Sequence, residues 1–275
     1  MTLDEERAFG GLRRLHGPRA YERIRAARVA VVGVGGVGSW AVEALARSGV
    51  AQLVLIDLDQ VSESNLNRQL QATLPTLGMA KVQALRERVA TIHPGCDVIA
   101  VEDFVTPNNW PAILPVPVDA VIDACDQAAA KRAMAIWALH TRARHVCVGA
   151  AGGKQMAQAV AVDDLAATTH DPLLAGLRQR LRRDGQAPRT GRIGLRCVYS
   201  AESVKLPTAV MGRSVGESCE AMPTTHVPSS MPAVAPAASA SDLSCHGYGS
   251  SVVVTATFGM TAAGECLRQL MEISG

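Results

Sequence analysis

The sequence predicts an α/β fold: a doubly wound, mostly parallel sheet with a C-terminal extension and a mobile crossover loop. Three observations carry that expectation. Short apolar runs rich in β-branched residues alternate with helical segments through the first half of the chain. A glycine-rich turn joins the first such run to the first helix that follows it. The composition, 48% hydrophobic and 19% charged with a net charge of +2, is that of a globular chain rather than a disordered or DNA-coating one. Aromatics are only 3%, too few for an all-β sandwich or a base-stacking module.

Taken in order, residues 1–27 form a helical segment that opens on acids and has no apolar stretch of the kind a secretory leader carries. Arg28-Val29-Ala30-Val31-Val32 reads as a buried strand, Gly33 to Gly38 as a turn, and 39–48 as a helix closed by Gly49. Leu53-Val54-Leu55-Ile56 is the next strand, so strand, turn, helix and strand make one right-handed βαβ unit. A helix over 77–92, a strand over 97–101 and a helix opening at Thr106-Pro107 follow. The alternation closes with a strand over 118–123, a helix over 128–142 and a strand over 145–148 that ends in Gly149-Ala150-Ala151-Gly152-Gly153. After Lys154 the pattern loosens. Asp171-Pro172 opens a helix that stops near Asp184-Gly185, and residues 219–241 are Pro-, Ser- and Ala-rich without apolar periodicity, hence the expected mobile crossover. Residues 252–271 return as an apolar strand or helix and then a helix, too short in its apolar part to span a bilayer. Cytoplasmic location without a membrane is the expectation.

The chemistry starts at the glycine turn, which makes the fold Rossmann-like. Gly33 and Gly35 let the backbone turn tightly and approach a phosphate, while Gly38 permits close helix–strand packing. The helix opening near Ser39 points free N–H groups at the anion, and Asp57 follows where a carboxylate can take ribose hydroxyls. Beyond Asp57, Arg68 and Lys81 supply cations that a dinucleotide dehydrogenase does not need and a nucleoside triphosphate does. Lys81 also fits a solvated residue at a helix start. Asp126 ends a strand at the ligand-binding edge, where a carboxylate beside a triphosphate suits Mg²⁺; Asp123 or Asp126 could equally cap the next helix.

Two further groups matter. The seven cysteines include no C-x-x-C pair, which argues against a structural zinc site, and an odd, scattered set does not read as a disulfide framework. No cysteine stands in a nucleophile context; Cys197 and Cys245 read as inert buried thiols. Arg178, Arg180, Arg182, Arg183, Arg189, Arg192 and Arg196 crowd one segment that suits either RNA phosphates or a solvated face.

Gly33-Val34-Gly35-Gly36-Val37-Gly38-Ser39-Trp40, Ser64-Asn65-Leu66-Asn67-Arg68-Gln69, the Lys81 context and Asp123-Ala124-Cys125-Asp126 resemble the superfamily of ubiquitin-activating enzymes and molybdopterin and thiamine adenylyltransferases. Phe9-Gly10-Gly11, Arg14-Leu15-His16-Gly17, Glu102-Asp103-Phe104-Val105-Thr106-Pro107, Asp171-Pro172-Leu173 and Val254-Thr255-Ala256-Thr257-Phe258-Gly259 resemble one bacterial branch of it, the tRNA threonylcarbamoyladenosine dehydratases. The likeness runs from about Phe9 to the C-terminal helix and is poorest over 219–241.

The resemblance implies a nucleotide-binding core at 28–153 between the helical segment 1–27 and a substrate and dimer region at 154–275. It implies adenylation of the threonyl carboxylate by Mg-ATP, then cyclising dehydration. Gly33, Gly35, Gly36, Gly38, Asp57, Asp59, Asn65, Asn67, Arg68 and Lys81 are then the ATP contacts. Asp126 positions Mg²⁺, and Arg14 reaches the partner's ATP across a homodimer interface. Arg178, Arg182, Arg183, Arg189 and Arg192 are candidate tRNA contacts. The branch is associated with cysteine-desulfurase partners, and a structural monovalent cation is open to any such fold; no zinc and no DNA are expected. The absence of C-x-x-C pairs sets the chain apart from relatives that activate carrier proteins. An adenylyltransferase or sulfur-relay enzyme acting on a carrier-protein C-terminus shares the same ATP site and is the main alternative. A nicotinamide-dependent oxidoreductase and a non-catalytic nucleotide sensor are the others.

Overall fold

The structure, a computed structural model, describes residues 3–205 and 248–272. The crossover expected at 219–241, with Cys219 and Cys245, lies outside the described residues. Two helices lead in. In α1 (Glu5–His16) the Asp4 carboxylate accepts the Arg7 N–H, acids occupy the first turn and bases the last. Gly17 then breaks the chain and Pro18 opens α2 (Pro18–Ala26).

The sheet strands are β1 (Arg28–Val32), β2 (Gln52–Ile56), β3 (Asp97–Val101), β4 (Ala120–Asp123), β5 (Arg144–Val148), β6 (Val160–Asp164) and β7 (Arg196–Ser200). Their order is β3-β2-β1-β4-β5-β7-β6, with every neighbouring pair parallel except β6 against β7. The central strands are buried on both faces, which is why they read as unbroken apolar runs. The helices α3 (Gly38–Arg47), α4 (Lys81–Ile92), α5 (Ala128–Thr141), α6 (Pro172–Arg183) and α7 (Val252–Met271) cover the two faces. α7 lies across α3: Val254, Phe258, Ala262, Ala263, Cys266 and Leu270 join the main core, and Gly259 lets the helices touch, since a Cβ there would sit 2.7 Å from the Trp40 Cβ.

Several sequence expectations are corrected. Residues 252–271 are one continuous helix. The helix expected from 77 begins at Lys81, because Gly78 adopts φ +82° and the Val61 N–H is bonded to the Met79 carbonyl at 2.8 Å. Thr106 does cap, accepting the Asn109 N–H at 3.2 Å, but Pro111 offers no N–H to continue a helix and the segment stays as turns. The sheet also continues past residue 153 through β6 and β7. Among the described residues no helix is long and apolar enough to cross a membrane.

Candidate functional site

β1 and β4 are parallel neighbours whose crossovers leave in opposite directions, to β2 and to β5, so a crevice opens at their carboxyl ends. The glycine turn forms one wall. Gly33 has φ +80°, and a Cβ on it would lie 2.9 Å from both the N and the Cα of Cys125, so only glycine fits between the tips of β1 and β4. Gly38 is pressed against the Gly33 carbonyl at the start of α3. Gly35 is open by contrast: the nearest atom to a Cβ there is Gln69 Nε2 at 3.8 Å. At Gly36 the same position meets the Arg68 side-chain stem at 3.3 Å, so the fold lays Arg68 along the turn.

The opposite wall comes from the segment after β2. Asp57 is buried and accepts two backbone N–H bonds, from Val34 at 2.8 Å and from Asp59 at 2.9 Å. Burial raises its pKa, against the pull of the nearby Lys81 charge and those two bonds. Asp57 therefore fixes the glycine turn to the end of β2. Lys81 is not a solvated helix-start residue: its side chain is 7% exposed and its Nζ is 2.7 Å from Asp59 Oδ2. Asn65 is buried and its side chain closes a capping box with Ser62, which shapes the loop carrying Arg68. The exposed Asn67 donates to the Ser250 carbonyl at 3.1 Å and accepts from Arg68 Nη1 at 2.9 Å. Arg68 Nη1 also donates to the Ser64 carbonyl at 2.6 Å.

Four residues whose side chains the sequence reading gave no role hold these parts in register. Trp40 Nε1 donates to the Arg68 carbonyl at 3.0 Å, Ser39 Oγ accepts the Leu70 N–H at 3.2 Å, and Gln71 Nε2 donates to the Val34 carbonyl at 2.9 Å. The fourth, Lys131, is fully buried against Asp123. Its only sequence signal is one lysine inside an alanine-rich helical stretch.

At the β4 tip, Asp126 is exposed and makes no side-chain hydrogen bond or ion pair among the described residues. α5 is N-capped by Gln127 without a side-chain bond, so neither Asp123 nor Asp126 caps it. A lone free carboxylate fits Mg²⁺ carried by a nucleotide, because such an ion takes one or two carboxylates and otherwise phosphates and water. Arg14 is exposed on α1. Burial raises the thiols of Cys125 and Cys266, and the fully buried Cys197 sits mid-sheet, so none is set up as a nucleophile.

The basic segment sits elsewhere. β7 is parallel to β5 and begins at Arg196, so this cluster lies at the amino edge of the sheet, away from the crevice. Arg182, Arg192 and Arg196 line a groove of about 590 Å³ together with Asp163 and Asp164. Arg192 is 76% exposed and 3.5 Å from Asp164, Arg183 pairs with Asp184, and Arg189 is exposed. Arg178 is half-buried, and its Nη1 bonds the Leu165 and Thr168 carbonyls and the Thr168 hydroxyl at 2.9–3.0 Å.

Comparison with known proteins adds three findings. Residues 9–274 match the ThiF family model. The tRNA threonylcarbamoyladenosine dehydratase of Escherichia coli K12 is 38% identical over 265 residues, covering 96% of this chain and 93% of that protein. Solved structures of an E. coli tRNA N6-threonylcarbamoyladenosine dehydratase in complex with ATP and with AMP each superpose with a TM-score of 0.80 at 35% identity, over 98% of this chain and 97% of theirs.

Proposed function

The chain belongs to the ThiF family, and from that premise we propose how its residues divide the work. It is an ATP-dependent, carboxylate-adenylating enzyme that dehydrates threonylcarbamoyladenosine in tRNA. The threonyl carboxylate attacks the α-phosphorus of ATP and pyrophosphate leaves. A carbamoyl oxygen or nitrogen of the same substrate then attacks the activated carbonyl and expels AMP, and a carbamoyl N–H proton is released. One carboxylate oxygen departs with AMP, so the nucleoside loses the elements of water. Closure within one molecule has a high effective concentration and needs no protein nucleophile.

Gly35 gives the α-phosphate room to approach the backbone, and the amino end of α3 receives its charge. Arg68 and Lys81 stabilise the charge that builds on the phosphates and on departing pyrophosphate. Asp57 holds the turn, Asp59 holds Lys81 and both face the ribose, and Asn65 and Asn67 keep Arg68 in place. Asp126 would hold Mg²⁺, which would supply charge neutralisation to the phosphates when bound. Arg14 serves the ATP of a partner subunit in a homodimer. Arg182, Arg183, Arg189 and Arg192 take tRNA phosphates, with Arg178 bracing the turn at 165–168 beneath them. The observation that carries the ATP assignment is the crevice itself: Gly35 open, Arg68 laid over Gly36, and Lys81 buried beside two aspartates. Arg68→Ala tests it. The variant should fold normally and lose ATP–pyrophosphate exchange; parental exchange would remove Arg68 from the site.

A further inference from the structure

Asp123 and Lys131 form an ion pair at 2.8 Å with side-chain exposures of 0% and 1%. Such a pair is a poor device for stability alone, because desolvating two charges offsets their attraction and apolar replacements of similar volume are often neutral or stabilising. Its surroundings supply another reason for it. Lys131 Nζ also donates to the Val148 carbonyl at 2.9 Å and to the Asp123 carbonyl at 3.3 Å. One ammonium thus ties the last carbonyls of two neighbouring strands, β4 and β5. An ammonium has three protons to spend in this way, and a planar guanidinium cannot reproduce the set.

Asp123 passes that restraint forward. Its Oδ1 accepts the Cys125 N–H at 3.3 Å and the Cys125 thiol at 3.1 Å, which fixes the backbone leading to Asp126. On its other side this backbone abuts Gly33, and the Ala124 N–H donates to the Val32 carbonyl at 2.8 Å. The chain of contact therefore runs from Lys131 through Asp123 and residues 124–125 to the glycine turn, with Asp126 as its next residue.

We propose that Lys131 and Asp123 are a positioning pair that sets the Asp126 carboxylate beside the glycine turn, where the divalent ion of bound ATP is held. The proposal rests on the assignment of Asp126 as the metal ligand, and its test keeps the two apart. Mn²⁺ is titrated by electron paramagnetic resonance into protein loaded with an ATP analogue carrying a methylene between its α- and β-phosphates. Affinity for the analogue without metal is measured alongside by calorimetry. Asp126→Asn should weaken Mn²⁺ binding. The double variant Asp123→Leu/Lys131→Met, which leaves no lone buried charge, should stay folded and bind the metal-free analogue as the parent does. Its Mn²⁺ affinity should fall by about tenfold or more, as it does when a residue that orients a metal ligand is removed.

A purely structural pair would change the melting temperature and leave Mn²⁺ affinity alone. Mn²⁺ affinity within twofold of the parent in the folded double variant, with Asp126→Asn impaired, overturns the positioning role only. Unchanged Mn²⁺ binding in Asp126→Asn overturns the metal assignment and the pair's role with it. Should the double variant not fold, Lys131→Arg, which keeps the charge but displaces the donor, is read by the same two criteria.

Discussion

Alanine at Gly33 and alanine at Gly35 should have opposite consequences, although the two residues share one turn. At Gly33 the backbone is left-handed, φ +80°, which costs an alanine about 1–2 kcal/mol. The new Cβ would also stand 2.9 Å from the N and Cα of Cys125 and 3.0 Å from the Ala124 carbonyl carbon. These are backbone atoms that cannot rotate aside, so overpacking adds about 1–3 kcal/mol. A total loss of about 2–5 kcal/mol is a large part of the ~5–15 kcal/mol that keeps a domain folded. At Gly35 a Cβ meets nothing closer than the Gln69 amide at 3.8 Å, so stability should stay within about 0.5 kcal/mol of the parent. The same Cβ would stand where the α-phosphate approaches, and ATP affinity should fall about 10- to 100-fold, or about 1.4–2.8 kcal/mol. Urea unfolding followed by circular dichroism gives the first quantity and titration calorimetry with ATP the second. A Gly35→Ala protein that binds ATP as the parent does would refute the phosphate placement. A Gly33→Ala protein as stable as the parent would refute the contact between the β1 and β4 tips.

Other perturbations follow from single contacts. Trp40→Phe removes one indole bond to the Arg68 carbonyl, worth about 1 kcal/mol, and should slow pyrophosphate exchange several-fold without unfolding the protein; an unchanged rate would show that Arg68 is held by other means. His145 is buried with neither ring nitrogen bonded among the described residues, and burial depresses its pKa to about 4 from 6.5. Between those values the unfolded chain binds the proton and the folded one does not, so His145 should subtract up to about 3 kcal/mol of stability as pH falls from 6.5 to 4. His145→Leu should flatten that part of the urea-measured profile, and identical profiles for parent and variant would contradict the burial argument. Arg189→Ala and Arg192→Ala should each weaken tRNA binding and lower its salt dependence, whereas Arg178→Ala should chiefly lower the melting temperature. Salt slopes equal to the parent's in the first two would take the amino-edge groove out of the tRNA path.

The parts of the site that are local in sequence were legible there. Strand, glycine turn and helix are contiguous, and Asp57 follows at the spacing a βαβ unit imposes. Its use was harder to foresee: both carboxylate oxygens go to backbone N–H groups of the turn and its own loop, a role spacing cannot separate from ribose binding. Lys131 was invisible because its partners lie across two strands, and a lysine in an alanine-rich helix carries no pattern. Strand β6 went unread since it is an antiparallel edge, half-exposed and ending in Asp163-Asp164 rather than a buried apolar run. Thr106-Pro107 looked like a helix start because capping is local, while the stop imposed by Pro111 lies one turn further on. The arginine cluster could be counted from the sequence, but its place on the amino edge depends on which way β7 runs.

Removal of water from threonylcarbamoyladenosine at the expense of ATP can be observed on the nucleoside itself. The direct measurement is mass spectrometry of nucleosides from tRNA carrying that modification, incubated with the purified protein, ATP and Mg²⁺ and worked up mildly enough to keep a cyclic product intact. The nucleoside should lose the mass of one water only when ATP is present. An unchanged nucleoside, together with pyrophosphate exchange that starts only on adding a protein acceptor ending in Gly-Gly, would contradict it.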